Sequence, residues 1–263
     1  MPSLLGRNIV ITGASSGIGA EIAKLCAAKG ANLALLARSI DKLQQIKKEL
    51  EERYSIKIIV YHLDVSNMEE IERVFHAIFE EMKSIDILVN NAGFGVFREA
   101  HAASIEEIKS MFDVNVVGLM ACTSKVLPKM RERRFGHIIN IASQAGKIAT
   151  PKSSVYSATK HAVLGYSNSL RMELADQNVF VTTVNPGPIA TNFFNIADEQ
   201  GTYVKNVQRF MLQPDYVANK VVSAMLTKTR EINLPRWMNL GSVIYALFPR
   251  TFERIGRKAF NKK

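Results

Sequence analysis

Short apolar runs alternate along the chain with longer stretches in which apolar residues recur every three or four positions. The first run, 8–12, is rich in β-branched residues and predicts a strand. Residues 18–29 follow in helical period and stop at Gly30, a residue suited to the left-handed position just past a helix end. The run 32–37 is apolar after its first residue, as expected of a parallel strand covered on both faces, and 41–54 reads as a charged amphipathic helix. The alternation continues with strand 57–63, helix 68–82, strand 85–89, a long helix 105–126, strand 137–142, helix 156–177 and strand 179–184. Pro214-Asp215 looks like a helix start, with Val217, Val221, Val222, Met225 and Leu226 on its buried face, and 232–234 reads as one more strand.

About six strands alternating with helices predict a doubly wound parallel sheet, because parallel neighbours require right-handed crossovers. Ligands of such sheets bind in the crevice at the carboxyl ends of the strands. Beyond Pro235 the pattern changes. Trp237, Leu240, Ile244, Phe248, Phe252 and Ile255 recur at three- or four-residue steps interrupted by Pro249, which predicts two amphipathic helices with a break between them.

With 263 residues, 47% of them hydrophobic, the chain can bury a sizeable core. The absence of a Pro/Gly/Ser-rich linker predicts a single α/β domain over 1–263, with a core at 7–234 and a C-terminal helical extension at 235–263. Cys26 and Cys122 lie far apart without metal-ligand spacing, so a reducing, cytoplasmic setting and no metal site are expected. The chain runs into its first strand too soon for a signal peptide, and no apolar run reads as long enough to span a bilayer.

The net charge of +10 raises the question of nucleic acid. Half of it sits in the tail, where Arg250, Arg254, Arg257, Lys258, Lys262 and Lys263 face Glu253 alone, and no basic-aromatic interleaving accompanies it, so nucleic acid is not an expected partner. An apolar stripe beside those basic residues suits peripheral contact with an anionic membrane surface, and equally a dimer contact or a lid over a substrate mouth.

Gly13, Ser15, Ser16, Gly17, Ile18 and Gly19 occupy the turn between the first strand and its helix. Glycines there let backbone N–H groups and the positive helix end approach a pyrophosphate, although a tight turn uses glycine for steric reasons alone. The end of the second strand, where an adenosine ribose would sit, carries Arg38 and Ser39 with no acid before Asp41. An arginine fork there favours the 2′-phosphate of NADP(H); a solvated loop arginine is the alternative. Lys42 either assists or is surface charge. Asp64 and Val65 end the third strand, where Asp64 either accepts from an adenine amine or caps a turn.

Tyr156 and Lys160 stand four apart on a helix, one turn from each other on one face. A nearby ammonium favours phenolate and would draw the tyrosine pKa down from about 10, making Tyr156 a proton donor and acceptor. Ser143 closes the fifth strand at the same carboxyl edge as the glycine turn, where it either hydrogen-bonds a substrate oxygen or merely ends the strand.

Taken in order, Thr12-Gly13 to Gly19, Asn90-Asn91-Ala92-Gly93, Asn115, Ser143, Tyr156 to Lys160 and Pro186-Gly187 resemble the short-chain dehydrogenase/reductase family over roughly 7–234. The resemblance implies a Rossmann-type fold and transfer of the 4-pro-S hydride between nicotinamide and a carbonyl or alcohol carbon. It implies that Ser143 orients the carbonyl, that Tyr156 protonates it, and that Lys160 holds the nicotinamide ribose and depresses the phenol pKa. Asn115 is implied to kink its helix and hold a relay water behind Lys160. Asn91, Ala92 and Gly93 are implied to support the adenosine side, and Pro186, Gly187, Ile189 and Thr191 to flank the nicotinamide. Arg38 matches the NADP(H)-preferring branch, while Ser16 stands where some members carry a second basic residue.

Between Gly187 and Pro214 lie Phe193, Phe194, Ile196, Tyr203, Val204, Phe210 and Met211, an apolar lid, and Phe94 and Phe97 are placed at the same mouth. These point to a small apolar carbonyl or alcohol substrate, or simply pack the lid against the body. A homodimer or homotetramer is expected. The alternatives in function are a nucleotide-binding regulatory protein without turnover and a 3-ketoacyl-type reductase. The extension after Leu234 departs from the second and is closer to the branch acting on lipids and other apolar carbonyls.

Overall fold

The computed structural model of the chain describes residues 2–198 and 201–260, with backbone only for 202 and 256–260. Seven parallel strands form one sheet: β1 (Asn8–Thr12), β2 (Asn32–Ala37), β3 (Ile58–His62), β4 (Ile87–Asn90), β5 (Gly136–Ile141), β6 (Val179–Pro186) and β7 (Glu231–Leu234), in the order β3-β2-β1-β4-β5-β6-β7. The chain steps outward from β1 to β3 and then returns to lay β4 on the other side of β1, so the order reverses between β1 and β4. A crevice opens at such a point beyond the strand ends. Ile9 pairs with Ile87 and Ile11 with Val89, which brings the turn after Thr12 level with the Asn90-Asn91 turn.

Alternate residues of each strand serve opposite layers. Ile9, Ile11, Leu33 and Leu35 pack beneath α1 (Gly17–Ala27), α2 (Ile40–Glu51) and α9 (Pro214–Ala224). Val10, Ala34, Leu36 and Leu88 pack beneath α3 (Met68–Met82), α5 (Leu119–Glu132) and α6 (Ser154–Glu173). Burial on both faces is why these strands read as unbroken apolar runs rather than as alternation. Cys26 and Cys122 are both buried free thiols, one in each layer.

The sequence reading differs from the structure in several places, among them helix 156–177, which is α6 ending at Glu173, and strand 85–89, which is β4. The long helix extends past its predicted end at 126 to Glu132, and α4 (Ile105–Phe112) passes into α5 through a π-helical turn at Asp113–Gly118, an irregularity at the position of Asn115, where the resemblance implied a kink. Gly118 explains the close approach there, since a Cβ would lie 2.3 Å from the Val65 carbonyl oxygen. The combined run Ile105–Glu132 is long and apolar enough to cross a bilayer, contrary to expectation, yet it carries Cys122, Val126 and Met130 of the core. Finally, β6 extends two residues past its predicted end, because Pro186 still pairs with Leu234 of β7.

The segment after β6 holds the short helices α7 (Phe193–Ala197) and α8 (Thr202–Val207). After β7 come α10 (Arg236–Leu247) and α11 (Pro249–Phe260), separated at Phe248 as the proline interruption predicts.

Candidate active site

A cavity of about 750 Å³ runs along the carboxyl edge of the sheet from Arg38 to the aromatic residues of α7 and α8. At its centre the β1–α1 turn is fixed by two side chains. The Thr12 hydroxyl oxygen accepts from the Asn91 and Ala92 amides, both at 3.0 Å, and the Asn91 amide nitrogen donates to the Thr12 and Gly13 carbonyls, both at 3.0 Å. The glycines divide their roles. A Cβ on Gly13 would sit 2.9 Å from Ala92 Cα, and one on Gly19 would sit 2.4 Å from the Gly13 carbonyl oxygen. Both glycines allow close packing; Gly13 also lines the cavity, with Ser15, Ser16, Gly17 and Ile18, whereas Gly19 does not. Gly17, at φ +56, faces the cavity beside Thr191.

Ser16 caps α1 without a side-chain hydrogen bond, and no acid occupies the first turn. The positive helix end therefore faces the cavity with free capacity for an anion. Arg38, Ser39, Lys42, Asp64 and Val65 line the far end. The Asp64 carboxylate accepts from the Ser66 amide at 2.9 Å and the Ser66 hydroxyl at 2.7 Å, which makes it a turn carboxylate. Partial burial raises its pKa, but those two bonds and the charges of Arg38 and His62 outweigh this and hold it below the ordinary value. Ala92, Gly93, Pro186, Gly187 and Ile189 line the middle of the cavity with Asn91 and Thr191.

The chemical end brings together Ser143, just past β5, and Tyr156 and Lys160 on the first turns of α6. Tyr156 is 9% and Lys160 5% exposed. The Ser143 hydroxyl oxygen accepts from the Ala145 amide at 3.0 Å and donates to the Pro186 carbonyl at 3.4 Å. Asn115 does not line the cavity but stands behind it. Its side chain accepts from the Phe94 amide at 3.0 Å and donates to the Phe94 carbonyl at 2.7 Å and to Thr159 Oγ1 at 3.2 Å. The π-helical turn thus fastens α6 between Tyr156 and Lys160.

The acidification of the phenol that the spacing predicts is opposed by its burial. Burial pushes Tyr156 above its ordinary pKa and Tyr203 adds to the rise, against a lowering by the Ser143 hydroxyl. Burial also pulls Lys160 down to about 8. The ammonium donates to the Ile141 carbonyl at 2.9 Å and lies 5.7 Å from the Tyr156 ring centroid. Desolvation opposes both charged forms.

Aromatic rings close the substrate side. Phe97 meets Tyr156 at 6.0 Å and Tyr203 at 5.2 Å, and Phe193 meets Tyr156 at 5.6 Å between ring centroids. Phe94, Phe97, Phe193, Phe194, Ile196 and Tyr203 line the cavity, and several also pack on one another. Val204, Phe210 and Met211 do not line it, and Phe210 instead meets Trp237 edge-to-face at 6.0 Å between ring centroids.

Sequence reasoning missed several site residues. Trp237, Met238 and Gly241 of α10 and Phe252 of α11 reach the cavity, as do Gln144, Ile148, Thr150 and Ser153 between β5 and α6. Gly95 is also absent from the sequence reading, although a Cβ there would lie 2.8 Å from Tyr156 Cδ2. For the β5–α6 segment the signal was position alone, between Ser143 and Tyr156.

A doubly wound sheet with this crevice defines a Rossmann-type α/β protein, and comparison with known proteins narrows the class. Residues 7–201 match the family model described as short chain dehydrogenase. The chain belongs to the short-chain dehydrogenase/reductase family of oxidoreductases. It is 37% identical over 198 residues to an NADP-dependent 3-hydroxy acid dehydrogenase of Schizosaccharomyces pombe, covering 73% of this chain and 75% of that one. It is 35% identical over 225 residues to a glycine betaine reductase of Emericella nidulans, covering 84% of this chain but spanning only 18% of that much longer protein. Among solved structures, the closed form of a serine dehydrogenase complexed with NADP+ superposes with a TM-score of 0.79 at 35% identity, covering 86% of this chain and 94% of that one. A family member from Burkholderia phymatum in complex with NAD gives 0.87 at 25% identity, covering 94% and 95%.

Proposed function

We propose that the chain is an NADP(H)-dependent reductase of small apolar ketones or aldehydes, reversible with the matching alcohols, with Tyr156 as the general acid. The carrying observation is one cavity lined by Arg38 and the glycine turn at one end and by Ser143, Tyr156 and Lys160 at the other. The residues present fit a dinucleotide. The uncapped start of α1 suits a pyrophosphate, and the bare backbone at Gly93, where a Cβ would lie 3.0 Å from Asn115 Oδ1, gives close access toward Lys160. Relatives named for NADP and for NAD share the fold, so preference rests on Arg38, whose fork suits a 2′-phosphate and whose strand end lacks an acid.

When bound, the nicotinamide supplies the hydride to the carbonyl carbon, or accepts it in the reverse direction. Ser143 donates a hydrogen bond to the carbonyl oxygen as negative charge grows there, and Tyr156 passes its hydroxyl proton to that oxygen. The raised pKa of Tyr156 keeps this proton in place at neutral pH in the free enzyme. Lys160, one helical turn away, holds the ribose and supplies positive charge beside the resulting phenolate. Asn115 fixes α6 through Thr159 and keeps Tyr156 and Lys160 in register. The aromatic mouth excludes water and favours an apolar substrate.

The test follows NADPH absorbance with a panel of apolar ketones and aldehydes. Tyr156→Phe should lose about 10²–10⁴-fold in kcat while NADPH binding, read by fluorescence, persists. Undiminished turnover in the variant would refute the assignment of the acid. No turnover by the wild type on any carbonyl, with NADPH still bound, would favour a nucleotide-binding regulator.

A further inference from the structure

The helix α10 is turned inside out. Trp237, Leu240, Val243, Ile244 and Leu247 share one face, and their exposures run from 44% at Ile244 to 67% at Leu247. The opposite face, toward the body, carries Met238, Gly241, the buried Ser242 and Tyr245. A surface helix of a free-standing globular protein does the reverse. The patch extends to Phe210, 55% exposed and edge-to-face with Trp237, and Phe248 at 62% and Ile255 of α11 at 78% are exposed as well. No charged residue stands between Arg236 and Arg250. The exposed Arg209, Arg236, Arg250 and Arg254 flank these apolar positions along the chain, and Glu253 is the one acid in 236–260. The same pair of helices also borders the cavity: Met238 and Gly241 from the body-facing side of α10, Trp237 from the edge of its outer face, and Phe252 from α11.

We propose that the α10–α11 pair seats the enzyme on an anionic lipid bilayer surface, with the outer face of α10 immersed and the substrate mouth opening beside the lipid. Contiguous exposed apolar faces of this kind mark interaction sites. Charge complementarity selects the occupant. Across a two-fold axis a second copy would bring the same flanking arginines toward one another, whereas an anionic leaflet neutralises them. Helices with an apolar face and basic flanks lie about 5–10 Å into the headgroup boundary, with a tryptophan such as Trp237 at home at that depth. The arrangement goes beyond the proposed reaction: it concerns where the enzyme meets an apolar substrate.

The experiment is co-sedimentation of the full chain, without coenzyme, with vesicles of phosphatidylcholine alone or with one-third phosphatidylglycerol. The coenzyme-free readout separates its failure from failure of the proposed reaction. The wild type should pellet with the anionic vesicles, less so as salt rises, and stay in solution with the neutral ones. Leu240→Ser with Leu247→Ser, both exposed, should release it. Arg250→Gln with Arg254→Gln should weaken binding about 25-fold, from about fivefold for each basic residue near the surface. Unchanged melting temperatures confirm that the variants fold. Wild type remaining in solution with anionic vesicles, equal binding to neutral ones, or Leu variants that pellet like the wild type would each overturn the proposal. So would a vesicle-indifferent wild-type dimer, seen by sedimentation velocity, that the Leu pair dissociates.

Discussion

Gly95 offers a direct test of how finely the Tyr156 ring is placed. A methyl group there would lie 2.8 Å from Tyr156 Cδ2 and 3.0 Å from Phe193 Cζ. Carbon atoms rest at about 3.5–4.0 Å, so the ring must retreat by about 0.7–1.2 Å. Phe97 and Phe193 pack around the ring, and α6 is held by the Asn115–Thr159 bond, so the retreat is not free. The φ of Gly95 lies outside the left-handed region, so alanine is unstrained in backbone and the effect is one of contact alone. A displacement of about 1 Å at a reacting group costs about 100-fold in rate, near 2.7 kcal/mol of transition-state stabilisation. Gly95→Ala is therefore expected to lower kcat about 100-fold with NADPH affinity unchanged, because the glycine turn and Arg38 lie along a different part of the cavity. Gly165→Ala on α6, the helix of Tyr156, is the control: nothing lies within 4 Å, so turnover should be kept and stability should rise by about 0.5–1 kcal/mol. Steady-state kinetics on the best carbonyl of the panel, with urea unfolding of each variant, gives the answer. A Gly95→Ala enzyme with wild-type kcat would refute the argument that the ring position is fixed by these contacts.

Arg38→Ala should bring the NADPH-to-NADH ratio of kcat/KM down by about tenfold or more, the worth of one charge-assisted phosphate contact, and an unmoved ratio would discredit Arg38 as the selector. Burial lowers the Lys160 pKa to about 8 from an unfolded value of 10.5, so below about pH 8 the folded state carries a buried charge that costs stability, and this cost is relieved as pH rises through that window. The coenzyme-free Lys160→Met variant should accordingly exceed the wild type in melting temperature most at pH 7 and least near pH 10, while losing turnover; a gap independent of pH would show that desolvation is not the cause. Gly19→Ala should destabilise the fold by about 1–3 kcal/mol through contact with the Gly13 carbonyl, seen as a shifted urea midpoint at constant slope, whereas a wild-type midpoint would mean the turn relaxes without cost.

The sequence by itself determined the layered α/β architecture, because β-branched runs buried on both faces and helical stripes of apolar residues admit few other packings. It also located Ser143, Tyr156, Lys160 and the glycine turn on one sheet edge, since all follow strand ends or open helices and a parallel sheet gathers such positions at its carboxyl side. The tertiary structure decided what depends on contacts between segments distant in the chain. That Gly13 and Gly19 serve packing, that Asn115 acts from behind the cavity through Phe94 and Thr159, and that Gly95 bounds the Tyr156 ring cannot be read from local pattern. The same holds for the direction of the Tyr156 shift, where spacing displayed the ammonium but not the burial that opposes it. The extension shows the division most clearly. Periodicity predicted two amphipathic helices, but a helix's apolar stripe carries no sign for inward or outward, and only packing against β7 and the cavity turned that of α10 toward solvent.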